Sequence, residues 1–234
     1  MMTKFLFLSF FLFLLFEACG VLNQKDQIVE DEAIYIKPIE KNAHWYERVE
    51  KFISEQDSIE ENSLIFLGNS ITEGYDLQKF FPNHKTVNRG ISSDHIDGVI
   101  DRLDICLGDA TKAKLFVLIG INDIGAGRSE AAIKYLYKAL VDAIVKKKAY
   151  DVYLQSILPT SPRWKNCDPE MIVNINAYIK SLAGENGLNF VDIYPLFLKA
   201  NSNYVIDEYM RDGLHPNDAG YKIWTEHLSG MIKR

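Results

Sequence analysis

Cysteine is scarce in this chain. Cys19, Cys106 and Cys167 are the only three in 234 residues, too few for a disulfide framework, and none stands in the CxxC or Cys/His spacing of a zinc site. With 7 prolines and 14 glycines, the sequence is not that of a disordered or fibrous chain. Basic residues are outnumbered, 26 to 32, which leaves a net charge of −6 and a pI near 5.4. That balance argues against a nucleic-acid partner, which would favour a basic face. The longest basic run, Lys146-Lys147-Lys148, closes an expected helix, where cations complement the negative end of the helix dipole. HExxH, P-loop and paired-cysteine patterns are absent, so neither a metal nor a nucleotide cofactor is implied. Internal repeats and low-complexity tracts are missing too.

The longest apolar stretch, Phe5 to Phe16 after Lys4, is too short to span a bilayer as a helix and has the shape of a secretory signal. Residues 1–18 are therefore expected to be a signal peptide of lipoprotein type. Cys19 is the expected lipidation site and 19–38 a polar tether, so that the chain is expected to be exported to a bacterial cell envelope and to meet a membrane only through an N-terminal lipid, or otherwise to be periplasmic or secreted. Residues 39–234 suffice for one ordinary domain.

Within that domain, short apolar runs alternate with segments of helical period. Leu64–Leu67, Leu115–Ile119, Val152–Leu154 and Phe190–Ile193 read as strands, and their mostly continuous hydrophobicity suits strands buried on both faces. Thr86-Val87-Asn88 is a weaker fifth. Ile133, Leu136, Leu140 and Ile144 share one helix face, as do Ile172, Ile175, Ile179 and Leu182. This alternation predicts an α/β fold, a parallel sheet covered by helices on both faces, with its chemistry in the loops beyond the carboxyl ends of the strands.

Four loops carry polar residues suited to such chemistry: Gly68-Asn69-Ser70-Ile71-Thr72-Glu73-Gly74, Asn88-Arg89-Gly90-Ile91-Ser92-Ser93-Asp94, Gly120-Ile121-Asn122-Asp123, and Asp212-Gly213-Leu214-His215-Pro216-Asn217. Singly, each has an ordinary explanation: a cap for Ser70, turn formers for Gly90 and Asn122, a helix-start cap or half of a metal site for Asp-x-x-His. Together and in this order, Ser70, Gly90, Asn122 and His215 resemble the four signature blocks of the SGNH/GDSL hydrolase superfamily, over nearly all of the chain after the tether. The wording Gly90-Ile91-Ser92, with Ile100-Asp101-Arg102-Leu103 beyond it, is most similar to the branch of platelet-activating-factor acetylhydrolases and bacterial sugar acetylesterases. The nucleophile elbow G-x-S-x-G is not present around Ser70, where Thr72 occupies the second glycine position.

The resemblance implies a three-layer α/β/α, flavodoxin-like domain acting as a serine esterase without a cofactor. Ser70 would be the nucleophile, His215 its base and Asp212 the acid that orients the imidazole. The N–H groups of Ser70 and Gly90 and the Asn122 amide would bind the oxyanion. Gly90 is expected to be a glycine so that backbone and substrate can approach closely. One block departs from the pattern, because Asn69 replaces the usual aspartate. The expected substrate is a small carboxylic ester, preferably an acetyl group on a carbohydrate. A lipid-directed acylhydrolase is the enzymatic alternative, and a non-catalytic binding module should have lost one of the site residues. The segment Thr160–Pro169 is expected at the catalytic edge, with Trp164 either stacking on a sugar or anchoring its loop. Glu73 and Asp94 are expected to be solvated at the surface, or else to rim the pocket, and His44, His84, His95 and His227 to be surface or satisfied histidines.

Overall fold

The computed structural model describes residues 34–108, 112–147 and 150–232. The expected signal, Cys19 and the tether as far as residue 33 lie outside them. Residues 34–38, expected in the tether, lie along the domain: Ile36 packs against the core, and the Lys37 carbonyl accepts hydrogen bonds from Arg128.

Helix α1 (Ala43–Ser54) precedes β1 (Leu64–Gly68), α2 (Ser70–Glu73), α3 (Leu77–Phe80) and β2 (Thr86–Gly90). Then come α4 (Ile96–Asp101), α5 (Leu103–Leu107), β3 (Ala113–Leu118), α6 (Ile121–Gly125) and α7 (Glu130–Lys146). The chain continues through β4 (Tyr150–Gln155), α8 (Pro169–Glu185), β5 (Asn189–Val191), α9 (Tyr194–Phe197) and α10 (Asp218–Ile232).

All strand pairs are parallel and the order is β2-β1-β3-β4-β5, the flavodoxin-like order. The step from β1 to β2 runs opposite to the later steps, so right-handed crossovers send its helix to the opposite face. Accordingly α4, α7 and α8 pack in succession, while α10 packs with α3 and α9. β1 is buried along its whole length and β3 nearly so, as their continuous hydrophobicity requires. β2 sits at the sheet edge, where only alternate positions are fully buried until its last two residues; that is why its sequence signal is weak. The expected β5 stops at Val191, and Ile193 already belongs to the turn into α9. Phe66, Phe116 and Tyr153 stand in register on β1, β3 and β4, and their rings stack at 4.8 and 4.7 Å, in the 4.5–7 Å range of favourable aromatic pairs.

The switch in strand order falls between β1 and β3. In an open sheet of this kind the crevice lies outside the carboxyl ends of the strands at that point. Ser70 leaves β1 on one side of it and Asn122 follows β3 on the other.

Candidate active site

Ser70 is the first residue of α2, so its N–H is among the first-turn donors that helix geometry leaves without an internal partner. Asn69 caps this short helix, its side-chain oxygen accepting the Ile71 N–H at 3.0 Å. An aspartate could fill the same accepting role, so the departure at Asn69 leaves the cap intact. The Asn69 amide nitrogen is buried and has no partner.

Across the crevice, residues 210–216 form a tight loop closed by the Met210–Pro216 bridge and by the Arg211 N–H on the His215 carbonyl at 2.8 Å. Gly213 has φ +80° there, and an added Cβ would stand 2.3 Å from the Ser161 hydroxyl, so only glycine makes this turn without strain. The loop brings His215 Nε2 to 2.9 Å from Ser70 Oγ and its Nδ1 to 2.7 Å from Asp212 Oδ2. The other Asp212 oxygen accepts the N–H groups of Leu214 at 3.0 Å and His215 at 2.8 Å. Partial burial pushes this carboxyl up, but the hydrogen bonds and the facing imidazole outweigh it and hold Asp212 at about 2. It is therefore ionised at neutral pH and can fix the imidazole and stabilise its cation.

The expected oxyanion donors are arranged less openly. One Asn122 amide hydrogen is committed to the Asp94 carbonyl at 2.9 Å, which fixes the side chain and leaves its second hydrogen for a ligand. The Gly90 N–H donates to Asn88 Oδ1 at 2.9 Å, so it must share or exchange that partner to serve an oxyanion. The reason for glycine at position 90 also differs from the expectation. A Cβ there would meet the backbone of α2, 2.2 Å from Glu73 N and 2.7 Å from Thr72 C. Packing of α2 on β2 demands the glycine, before any substrate arrives.

Two further expectations are corrected. Asp94 is 4% exposed and ion-paired to the fully buried Arg102 at 2.8 Å, with its other oxygen accepting from the Trp45 indole. Burial pushes the Asp94 carboxyl up, against the pull of Arg102. Arg102 also donates to the carbonyls of Gly68 and Arg89 at 2.9 Å each. One buried guanidinium thus ties the ends of β1 and β2 together, while its counterion's backbone holds Asn122. Glu73, likewise, is not a free surface carboxylate. It accepts from the Ser92 N–H and hydroxyl at 2.6 Å and faces Arg48 and His44; burial opposes its ionisation, and these partners together bring it below the usual range. Arg48 also grips the Gly90 carbonyl at 3.0 Å. Asp123, next to Asn122, meets Arg128 at 2.6 Å and accepts the Ile96 N–H, so it orders this loop. The placing of Asp94 and Arg102 among the buried Ile91, Ile96, Val99 and Leu103 is the sequence signal that could have revealed the pair.

A cavity of about 430 Å³ lies beside the loop that carries His215, lined by Ser93, His95, Ile121, Asn122, Trp164 and Leu214 among others. The Thr160–Pro169 segment does lie at this edge, contributing Arg163 through Cys167. Trp164 anchors its loop, its indole donating to the Asp212 carbonyl at 3.1 Å, and also presents its ring to the cavity. Cys167, which carries no motif in the sequence, is buried beside it. Among the described residues no group of three or more His, Cys, Asp or Glu converges as a metal site would.

With that geometry in view, the similarity to known proteins is decisive. A profile of the GDSL-like lipase/acylhydrolase family matches residues 66–223. The chain belongs to that family. The hydrolase superposes on a platelet-activating-factor candidate from Streptococcus pneumonia with TM-score 0.75 and 26% identity, over 81% of this chain and 92% of that one. A GDSL-like lipase from Bacteroides thetaiotaomicron VPI-5482 follows with TM-score 0.69 and 23% identity, over 79% and 97%. A curated relative, the N-acylneuraminate cytidylyltransferase of Escherichia coli O18:K1:H7 (strain RS218 / NMEC), is 27% identical over 198 residues. The match covers 80% of this chain, and the chain spans 44% of that relative's length. The matched family is one of lipases and acylhydrolases.

Proposed function

We propose that this hydrolase removes short acyl groups, acetyl above all, from carbohydrate esters through an acyl-enzyme on Ser70. The observation that carries the mechanism is the unbroken line of hydrogen bonds from Ser70 Oγ through the His215 ring to Asp212. A serine hydroxyl is a weak nucleophile until an adjacent base takes its proton. His215 Nε2 accepts that proton as Ser70 Oγ bonds to the ester carbon, and the carbonyl electrons move onto oxygen. The Ser70 N–H, the free Asn122 hydrogen and the Gly90 N–H, once released by Asn88, bind that oxygen. Collapse of the intermediate expels the alcohol, which leaves with the proton from His215. Water deprotonated by the same ring then releases the acid and restores Ser70. Export and lipidation at Cys19 would place this chemistry in a bacterial envelope.

The carbohydrate preference is supported by the polar side of the cavity, where Asn122, Ser93, Asn166 and the Trp164 ring can serve hydroxyls and a sugar face, and by a curated relative named for N-acylneuraminate, a sugar. The lipid-directed reading has one observation of its own, the floor of Ile121, Leu214 and Cys167, which the surrounding polar loops hide at sequence level. Each buried methylene contributes about 0.8 kcal/mol, so the two readings separate on acyl length. The catalytic efficiency kcat/KM is expected to fall steeply from acetyl to butyryl to octanoyl p-nitrophenyl esters, with acetate released from acetylated sugars. Efficiency that rises with chain length overturns the carbohydrate reading and favours the lipid-directed one.

A further inference from the structure

We propose that the cavity beside the loop that carries His215 is an anion subsite, in which Arg163 and Lys165 bind a carboxylate or phosphate carried by the alcohol part of the ester, so that the preferred substrate is an acylated acidic sugar. This rests on the esterase reading above and names the substrate class of the same site.

The cavity wall holds Arg163, Lys165 and His95 and no aspartate or glutamate, in a chain where acids outnumber bases 32 to 26. The positive character belongs to the first two, because burial and the nearby Arg128 charge push His95 down toward its neutral form. Elsewhere in the domain cations are largely committed: Arg102 pairs with Asp94, Arg128 with Asp123 and Asp97, Lys114 with Asp151, Lys134 with Glu130. Arg163 and Lys165 have no carboxylate partner among the described residues. The nearest acid of the triad, Asp212, is already engaged with the His215 ring and two N–H groups.

The loop that carries these cations is also held in place. The Ser161 N–H donates to the Gly213 carbonyl at 2.8 Å, the Cys167 N–H to the Trp164 carbonyl at 2.8 Å, and the Trp164 indole to the Asp212 carbonyl. Arg163 Nε lies 3.6 Å from where a Gly213 Cβ would stand, directly over the turn that presents His215. Two cations flanking a pinned tryptophan, on the loop braced against the base, can hold an anion at a fixed distance from the scissile bond. The guanidinium supplies the planar fork that matches carboxylate or phosphate, and the ammonium a second point charge.

The test compares acetate release by the full chain from O-acetylated esters of a neutral hexose, a hexuronic acid and a hexose phosphate. The wild type should favour an anionic ester over the neutral one by about tenfold or more in kcat/KM, chiefly through KM, and high salt should erode that preference. In the Arg163→Gln/Lys165→Gln variant, shown to be folded by its thermal midpoint, the anionic-to-neutral ratio should collapse toward one. Equal cleavage of neutral and anionic esters by the wild type overturns the proposal, as does a preference that persists in the double variant. Should that variant fail to fold, the salt series on the wild type decides the same question: a preference that salt leaves unchanged overturns the proposal. The esterase reading fails separately, by a chain that hydrolyses none of the three esters or p-nitrophenyl acetate. Whichever anionic ester is preferred then identifies carboxylate or phosphate as the group bound.

Discussion

The two walls of the active site handle charge in opposite ways. On the wall formed by the ends of β1, β2 and β3, Arg102, Asp94, Arg128 and Asp123 are almost entirely buried and saturated with partners, many of them backbone carbonyls and N–H groups. On the wall formed by residues 160–169 and 212–215, Asp212 is 40% exposed on its side chain, and Arg163 and Lys165 are open to solvent. A charge locked among fixed partners cannot answer to a substrate, but it can hold backbone in one arrangement. A charge left at a cavity rim can do the reverse. Under the proposed mechanism, the first wall sets the geometry of the oxyanion donors, and the second carries the proton relay and the recognition of the substrate.

That contrast predicts different kinds of damage. The largest effect on turnover belongs to the exposed wall. Asp212→Asn should lower kcat by about ten-thousandfold through loss of the correct imidazole tautomer, while His215→Ala should lower it further, because a misoriented base still exceeds none. Single-turnover rates on folded proteins check this, and equal or reversed losses would mean that the roles are exchanged. In acid the stabilising share of Asp212 has a definite sign. With its folded value depressed to about 2, that share is fully present above the ordinary carboxylate range and disappears as pH falls toward the folded value.

Damage to the buried wall should appear first as instability and only second in turnover. Arg102→Met leaves Asp94 buried and unpaired, at a cost of about 3–5 kcal/mol, and frees the carbonyls of Gly68 and Arg89. Urea unfolding should show that loss, and kcat should fall more than KM changes. Adding Asp94→Asn should recover part of the stability without recovering kcat. Wild-type stability in Arg102→Met would break the contrast between the two walls.

The exposed wall and the strands are the more legible parts of the sequence. Ser70 and Asn122 stand out because their chemistry is unusual for positions just beyond buried strands, Asp212 and His215 because they form one Asp-x-x-His block ahead of α10, and β1 and β3 because they are hydrophobic without interruption. β2 is faint, since an edge strand alternates in burial and here includes the buried, Glu55-paired Arg89. Asp94 misleads because a single charged residue ordinarily means solvent, and its partner Arg102 lies eight residues on, beyond α4. The need for Gly90 arises from α2, a contact between segments that no local pattern reports. The apolar floor of the cavity is hidden for the same reason, as Ile121 and Leu214 come from separate loops that each look polar.

Everything proposed for this site depends on a covalent bond at Ser70. Fluorophosphonate labelling of the full chain, followed by peptide-mapped mass spectrometry, tests that directly, with p-nitrophenyl acetate turnover measured on the same samples. The expected result is one adduct on Ser70 with complete loss of turnover, and neither label nor turnover in Ser70→Ala at an unchanged thermal midpoint. An adduct on another residue that tracks the loss of activity, or undiminished turnover in Ser70→Ala, would contradict it.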